Sequence, residues 1–190
     1  MSFQLVNALK NTGSVKDPEI SPEGPRTTTP LSPEVAKHNE ELVEKHAAAL
    51  YDASAQEILE WTAEHAPGAI AVTLSMENTV LAELAARHLP EADFLFLDTG
   101  YHFKETLEVA RQVDERYSQK LVTALPILKR TEQDSIYGLN LYRSNPAACC
   151  RMRKVEPLAA SLSPYAGWIT GLRRADGTTP APAPALSLDA

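Results

Sequence analysis

Short apolar runs separated by helical stretches constrain this chain more than any other feature. Ala69-Ile-Ala-Val-Thr-Leu74 and Asp93-Phe-Leu-Phe-Leu97 are each long enough for one strand buried on both faces, and too short for a helix. A third run lies at 121–125 and a fourth at 167–170. Between the first two, Val80, Leu81, Leu84 and Ala85 recur at helical spacing, and Pro90 stops the pattern. Residues 103–117 make a further amphipathic stretch. Strands alternating with helices predict an α/β fold with a parallel sheet flanked by helices.

The flanks are less regular. A helical pattern runs over 34–50, and Ser54-Ala-Gln-Glu57 matches a capping box for a helix that ends before Pro67 and Gly68. Ser75 stands where it can cap the helix after the first strand. Thr131-Glu-Gln-Asp134 reads as the cap of a short helix, and 152–162 as another helix. Residues 1–33 hold four prolines between Ser21 and Pro33 and no periodicity, so they are expected to be a disordered extension to a domain over 34–190. Gly177 to Pro184 is a proline-rich loop, and Leu186-Ser-Leu188 looks like the opening of a new strand. A strand that opens at the last residues leads us to expect that the domain's C-terminal part is missing.

Net charge is −7, which disfavours general attraction to nucleic acid or anionic membrane. No run approaches the length of a membrane span, and the first residues lack the apolar core of a secretion signal. Two cysteines make no disulfide framework, so a reducing, cytoplasmic setting is expected.

Those cysteines are adjacent, in Asn145-Pro-Ala-Ala-Cys-Cys-Arg-Met-Arg-Lys154. Neighbouring residues rarely bridge each other, and basic neighbours stabilise thiolates, so Cys149 and Cys150 read as two ligands to one metal centre beside an anion site. The plainer reading is two small buried hydrophobes. In an open parallel sheet, ligands collect at the carboxyl ends of the strands. Three loops lie there: Ser75-Met-Glu-Asn-Thr79, Leu97-Asp-Thr-Gly-Tyr-His102 and Thr170-Gly-Leu-Arg-Arg174. With Lys154 they offer N–H donors, positive charge and glycine for close approach, a set suited to an adenine nucleotide with an anionic group. Each piece also has an ordinary structural use. Ser75 can be a cap, Asp98-Thr-Gly100 a turn, and Arg173 and Arg174 a solvated pair. His38, His46, His65 and His88 fall on helical segments as surface positions, and His102 is left open among core, surface and ligand contact.

Taken together, Leu97-Asp-Thr-Gly-Tyr-His-Phe103, the Cys-Cys-Arg-Met-Arg-Lys segment and Trp168-Ile-Thr-Gly-Leu-Arg-Arg174 resemble the adenosine 5′-phosphosulfate (APS) reductases of the PAPS/APS reductase family, in order and spacing over about residues 54–190. The resemblance implies an adenine nucleotide α-hydrolase-like fold related to the PP-loop enzymes. It implies reduction of APS to sulfite and AMP in assimilatory sulfate reduction, with thioredoxin as electron donor. It makes Cys149 and Cys150 two of four thiolate ligands of a [4Fe–4S] cluster. Lys154 would lie between cluster and substrate, and Arg173 and Arg174 would meet the phosphosulfate. Ser75, Glu77, Asn78 and Leu97 would contact the adenosine, with Asp98, Thr99 and Gly171 completing the substrate site.

The family also carries a later Cys-x-x-Cys and a C-terminal Glu-Cys-Gly tail whose thiolate attacks the sulfur of the phosphosulfate. AMP leaves, and thioredoxin then releases sulfite from the S-sulfocysteine. This chain has neither element, so it is expected to be inactive alone. The alternatives are a reductase of the 3′-phosphorylated substrate (PAPS) and a non-catalytic nucleotide-binding remnant. A PP-loop ATPase or adenylyltransferase would need a glycine-containing pyrophosphate loop, and Thr73-Leu-Ser-Met-Glu-Asn78 has no glycine.

Overall fold

The computed structural model describes residues 2–6, 32–173 and 184–189. Its centre is a six-stranded sheet in the order β4-β3-β2-β5-β1-β6. The strands are β1 (Ser2–Val6), β2 (Ile70–Leu74), β3 (Asp93–Leu97), β4 (Leu121–Ala124), β5 (Gly167–Thr170) and β6 (Leu186–Asp189). Four neighbours, β4, β3, β2 and β5, are mutually parallel, as the alternation of runs predicts. β1 then runs antiparallel to β5 and parallel to β6.

The apolar runs are continuous because both faces of the sheet are covered. Ile70, Val72, Leu74, Phe94, Phe96 and Ile169 point to the larger core, with Leu42, Ile58, Leu59, Leu81 and Val113 from the helices. Ala71 and Leu95, one residue out of phase, join Ala124, Leu162 and Tyr165 in a second core on the other face. Tyr165 donates a 2.7 Å hydrogen bond from its hydroxyl to Asp93 Oδ2, so this buried ring has its polar end satisfied.

Helices α1 (Pro33–His46), α2 (Ala55–His65), α3 (Val80–His88) and α4 (Lys104–Arg116) precede β4. Ser32 caps α1 with Pro33 in its first turn, and the helix stops at His46 rather than continuing to residue 50, giving way to a turn over 47–52. α2 begins at the expected capping box. Ser54 Oγ accepts from Glu57 N at 3.2 Å, and Glu57 Oε2 accepts from Ser54 N at 2.7 Å. The Ser54 hydroxyl first, and then its backbone N–H, hold the Glu57 carboxyl below its ordinary range. Ser54→Ala is expected to lower unfolding free energy by about 1 kcal/mol, checked by urea denaturation against wild type.

After β4 come α5 (Arg130–Tyr137), α6 (Leu141–Ser144), α7 (Pro146–Cys150), a π-helical turn (Arg151–Val155) and α8 (Glu156–Leu162). Thr131 does not cap α5. The cap is Lys129, two residues earlier, and Glu132 reaches back to accept from Lys129 N at 2.7 Å. The helix expected at 152–162 is the second half of a longer helical run that opens where Asn145 Oδ1 accepts from Ala148 N. Pro157 explains the π turn. It has no N–H to donate to the carbonyl of Arg153, and the register widens so that Glu156 N bonds to Arg151 O.

One expectation for the ends needs correcting. Residues Ser2–Val6 are a strand, inside the extension expected to be disordered, because the edge of β5 and the β6 strand offer them partners on both sides. The rest of that extension, from 7 to 31, lies outside the described residues, as does most of the proline-rich segment.

Candidate functional site

β2, β3 and β5 are adjacent and parallel, so the loops that follow them, over 75–79, 98–103 and 171–173, open at one edge of the sheet. The chain moves outward from β2 to β3 and β4, then returns to β5 on the other side of β2. That reversal puts a topological switch point between β2 and β5, where open α/β sheets bind ligands. A Cβ added at Gly171 would lie 3.5 Å from Leu81 Cδ2, so the third loop passes over the first turn of α3.

The first loop is held by an unusual residue. Met76 has φ of 60° with its side chain 5% exposed, so an anchored apolar group fixes a left-handed backbone usually given to glycine. Ser75 does not cap α3, which begins five residues later. Its hydroxyl accepts from Glu77 N at 3.5 Å, and Asn78 Oδ1 accepts from Val80 N at 3.2 Å at the helix entrance. Ser75, Glu77 and Asn78 are all exposed at the strand ends.

The second loop folds on itself. Asp98 Oδ1 accepts from Gly100 N at 2.8 Å, and Thr99 Oγ1 accepts from Tyr101 N at 3.3 Å. Gly100 takes φ of 74°. His102 pairs through Nε2 with Leu97 O at 2.9 Å and lies 5.1 Å from the Phe96 ring, which gives it a structural place. Beside Tyr101 is an open pocket of about 350 Å³ that Arg130, Asp134, Asn140 and Tyr142 also line.

The cysteine helix reaches this loop through Arg153. The residue is 3% exposed. It donates from Nε to Thr99 O at 2.6 Å, and from Nη1 to Gln133 Oε1 at 2.9 Å and Leu128 O at 3.2 Å. Its guanidinium carbon stands 5.2 Å from the centre of the Tyr101 ring. Sequence reading grouped Arg153 with Arg151 and Lys154 as one basic cluster, and the structure separates the three. Arg151 pairs with Glu156 at the surface, Arg153 is internal, and Lys154 is exposed without an ion pair among the described residues. Cys149 lies four positions before Arg153 and both are buried, a helix-face relation visible in the spacing alone.

Leu97, Asp98 and Thr99 are therefore joined to the helix that carries Cys149, Cys150 and Lys154. Gly171 lies beside the first turn of α3. Arg173 is exposed just beyond Gly171, and Arg174 lies outside the described residues.

Cys149 is buried and Cys150 exposed, as expected for consecutive helical residues pointing about 100° apart. A cysteine-held [4Fe–4S] cluster takes four thiolates. The chain has two, and among the described residues no three His, Cys, Asp or Glu side chains come together. These residues by themselves do not fit the cluster.

Comparison with known proteins decides the family. The model of the phosphoadenosine phosphosulfate reductase domain matches residues 69–190. The chain belongs to the PAPS reductase family. It is 46% identical over 149 residues to adenosine 5′-phosphosulfate reductase of Mycolicibacterium smegmatis, covering 78% of this chain and 63% of that protein. With the Mycobacteroides abscessus protein of the same name, identity is 47% over 148 residues, covering 78% and 62%. The chain thus spans a little under two thirds of these relatives' length. Among solved structures, a PAPS reductase from Candida auris in complex with phosphate superposes with a TM-score of 0.54 at 26% identity, covering 70% of this chain and 64% of that one. The match supports the nucleotide α-hydrolase-like sheet as the family's fold.

Proposed function

We propose that this chain carries the nucleotide-binding part of an APS reductase, which reduces adenosine 5′-phosphosulfate to sulfite and AMP with thioredoxin as electron donor in cytoplasmic sulfate assimilation. The observation behind this reading is the junction at Arg153, which fastens the cysteine helix to the Asp98–Tyr101 loop at the carboxyl edge of the parallel strands. An adenylate would lie over the first and second loops, at Ser75, Glu77, Asn78, Leu97, Asp98 and Thr99. Gly171 would let its phosphate approach the backbone, and Lys154, Arg173 and Arg174 would balance the phosphosulfate charge. The names of the relatives favour APS over the 3′-phosphorylated substrate.

In the chemistry proposed, a thiolate attacks the sulfate sulfur, the S–O bond to AMP breaks, and both bonding electrons leave with the phosphate. A dithiol then attacks the resulting S-sulfocysteine, releases sulfite and ends as a disulfide. The positive side chains stabilise the charge that grows on the leaving phosphate. In this reading Cys149 and Cys150 would supply two of the thiolates of a [4Fe–4S] cluster, and neither would be the attacking thiol. No helix among the described residues is long and apolar enough to cross a membrane.

Calorimetric titration with APS, PAPS and AMP, run beside a sulfite-release assay with reduced thioredoxin, tests the proposal. APS is expected to bind roughly tenfold tighter than PAPS, and residues 1–190 alone to release no sulfite. Absence of adenylate binding would remove the reading. Sulfite release by these 190 residues would instead refute their inactivity.

A further inference from the structure

Arg153 is engaged in an unusual way for a base in a candidate anion site. Its three hydrogen bonds go to neutral acceptors, two of them backbone carbonyls, on two separate segments. Thr99 belongs to the loop after β3, while Leu128 and Gln133 belong to the end of the β4 connection and to α5. The donor itself comes from the π turn that follows the cysteine pair. One planar guanidinium therefore ties three segments that no sheet ladder connects. Gln133 is fully buried, so its Oε1 depends on a protein donor.

The fit is close on the loop side. A Cβ at Gly100 would stand 2.7 Å from Arg153 Nη2, inside contact distance. A glycine is thus required there twice over, by the positive φ and by the passage of the guanidinium. The Tyr101 ring lies over the same group and also over Arg130, whose guanidinium carbon is 5.7 Å from the ring centre. The π turn that Pro157 brings about serves this arrangement. It widens the helix at Arg151–Val155, where a residue must face inward while its neighbours Met152 and Lys154 take other directions.

We propose that Arg153 is a positioning residue. It sets the Asp98–Tyr101 loop in its ligand-ready shape and couples that loop to the cysteine helix, without itself serving as the anion's counter-charge. The consequence for nucleotide binding rests on the proposed function, whereas the coupling of loop to helix does not. Arg153→Lys keeps the charge but replaces a fork of donors by one ammonium that cannot span Thr99, Leu128 and Gln133 together. A residue acting by charge alone would tolerate that change, and a latch would not.

The experiment is hydrogen exchange by mass spectrometry on wild type and Arg153→Lys, with AMP titrations on both. Exchange in peptides covering 98–103 is expected to rise at least tenfold in the variant, with the amides of Gly100 and Tyr101 losing their local bonds, while α1 peptides stay unchanged. AMP affinity is expected to fall about tenfold or more, and millimolar guanidinium to restore part of it in Arg153→Ala. Wild-type exchange in the loop of Arg153→Lys overturns the latch, whatever happens to the melting temperature. A wild-type chain that binds no AMP removes the proposed function, while the exchange comparison still decides the latch. Should Arg153→Lys fail to fold, Gln133→Met takes its place, because it removes one acceptor of the guanidinium without altering the loop itself. It must then show the same loop-confined rise in exchange, and an unchanged loop refutes the proposal.

Discussion

Phe94→Ala is expected to cost about 3–5 kcal/mol of unfolding free energy. Phe94 is fully buried in β3, an inner strand with parallel partners on both sides. Its ring meets Tyr117 edge-on at 5.8 Å, which ties the sheet to the end of α4. Truncation removes that contact and leaves a cavity that neighbouring strands cannot close, because their spacing is fixed by the hydrogen-bond ladder. Domains of this size are stable by about 5–15 kcal/mol, so the variant should sit near its unfolding threshold at room temperature. Urea denaturation would show the midpoint falling with the slope unchanged. A loss under about 1.5 kcal/mol would mean that Phe94 is not at the centre of the larger core.

The contrast between Phe94 and Leu95 shows what could be read from the sequence. Both belong to one apolar run, and the run alone announces a strand buried on two faces. Which residue faces the larger core is decided only by the helices laid across each face. The capping box at Ser54 was legible because its two bonds span three residues. β1 was not, since Ser2–Val6 becomes a strand only through partners more than 160 positions away. The first loop was misread for a related reason. Ser75 looks like a cap locally, but Met76 turns the chain left-handed, and α3 starts only after four more residues.

The candidate site divides in the same manner. Its loops could be placed from the rule that ligands gather at strand ends, and the chain's reversal between β2 and β5 fits that rule. The three bases after the cysteine pair could not be told apart by composition. Their separation depends on helix phase, and Pro157 shifts that phase through the π turn. Their four-residue spacing alone would have put Cys149 and Arg153 on one face. It would not have supplied Thr99 as the partner, because that contact joins residues 54 positions apart.

Lys154→Glu is expected to weaken APS binding on the order of 100-fold while leaving stability within about 0.5 kcal/mol. Of the three bases, Lys154 alone is exposed with no ion pair among the described residues, so its charge is free for a ligand. Unit charges ~6 Å apart at an effective dielectric of ~20 interact by about 3 kcal/mol, and reversing the sign turns attraction into repulsion. Solvent screening reduces this, which is why the expected loss is nearer the value of one interaction than of two. Arg151→Glu provides the contrast. Arg151 is already paired with Glu156, so its reversal should lower affinity several-fold less. Titrations at low and high salt would separate the cases, with the Lys154 effect shrinking as salt rises. Equal affinities for wild type and Lys154→Glu at low salt would mean that the phosphosulfate lies elsewhere, and that the basic run beside Cys150 serves the fold alone.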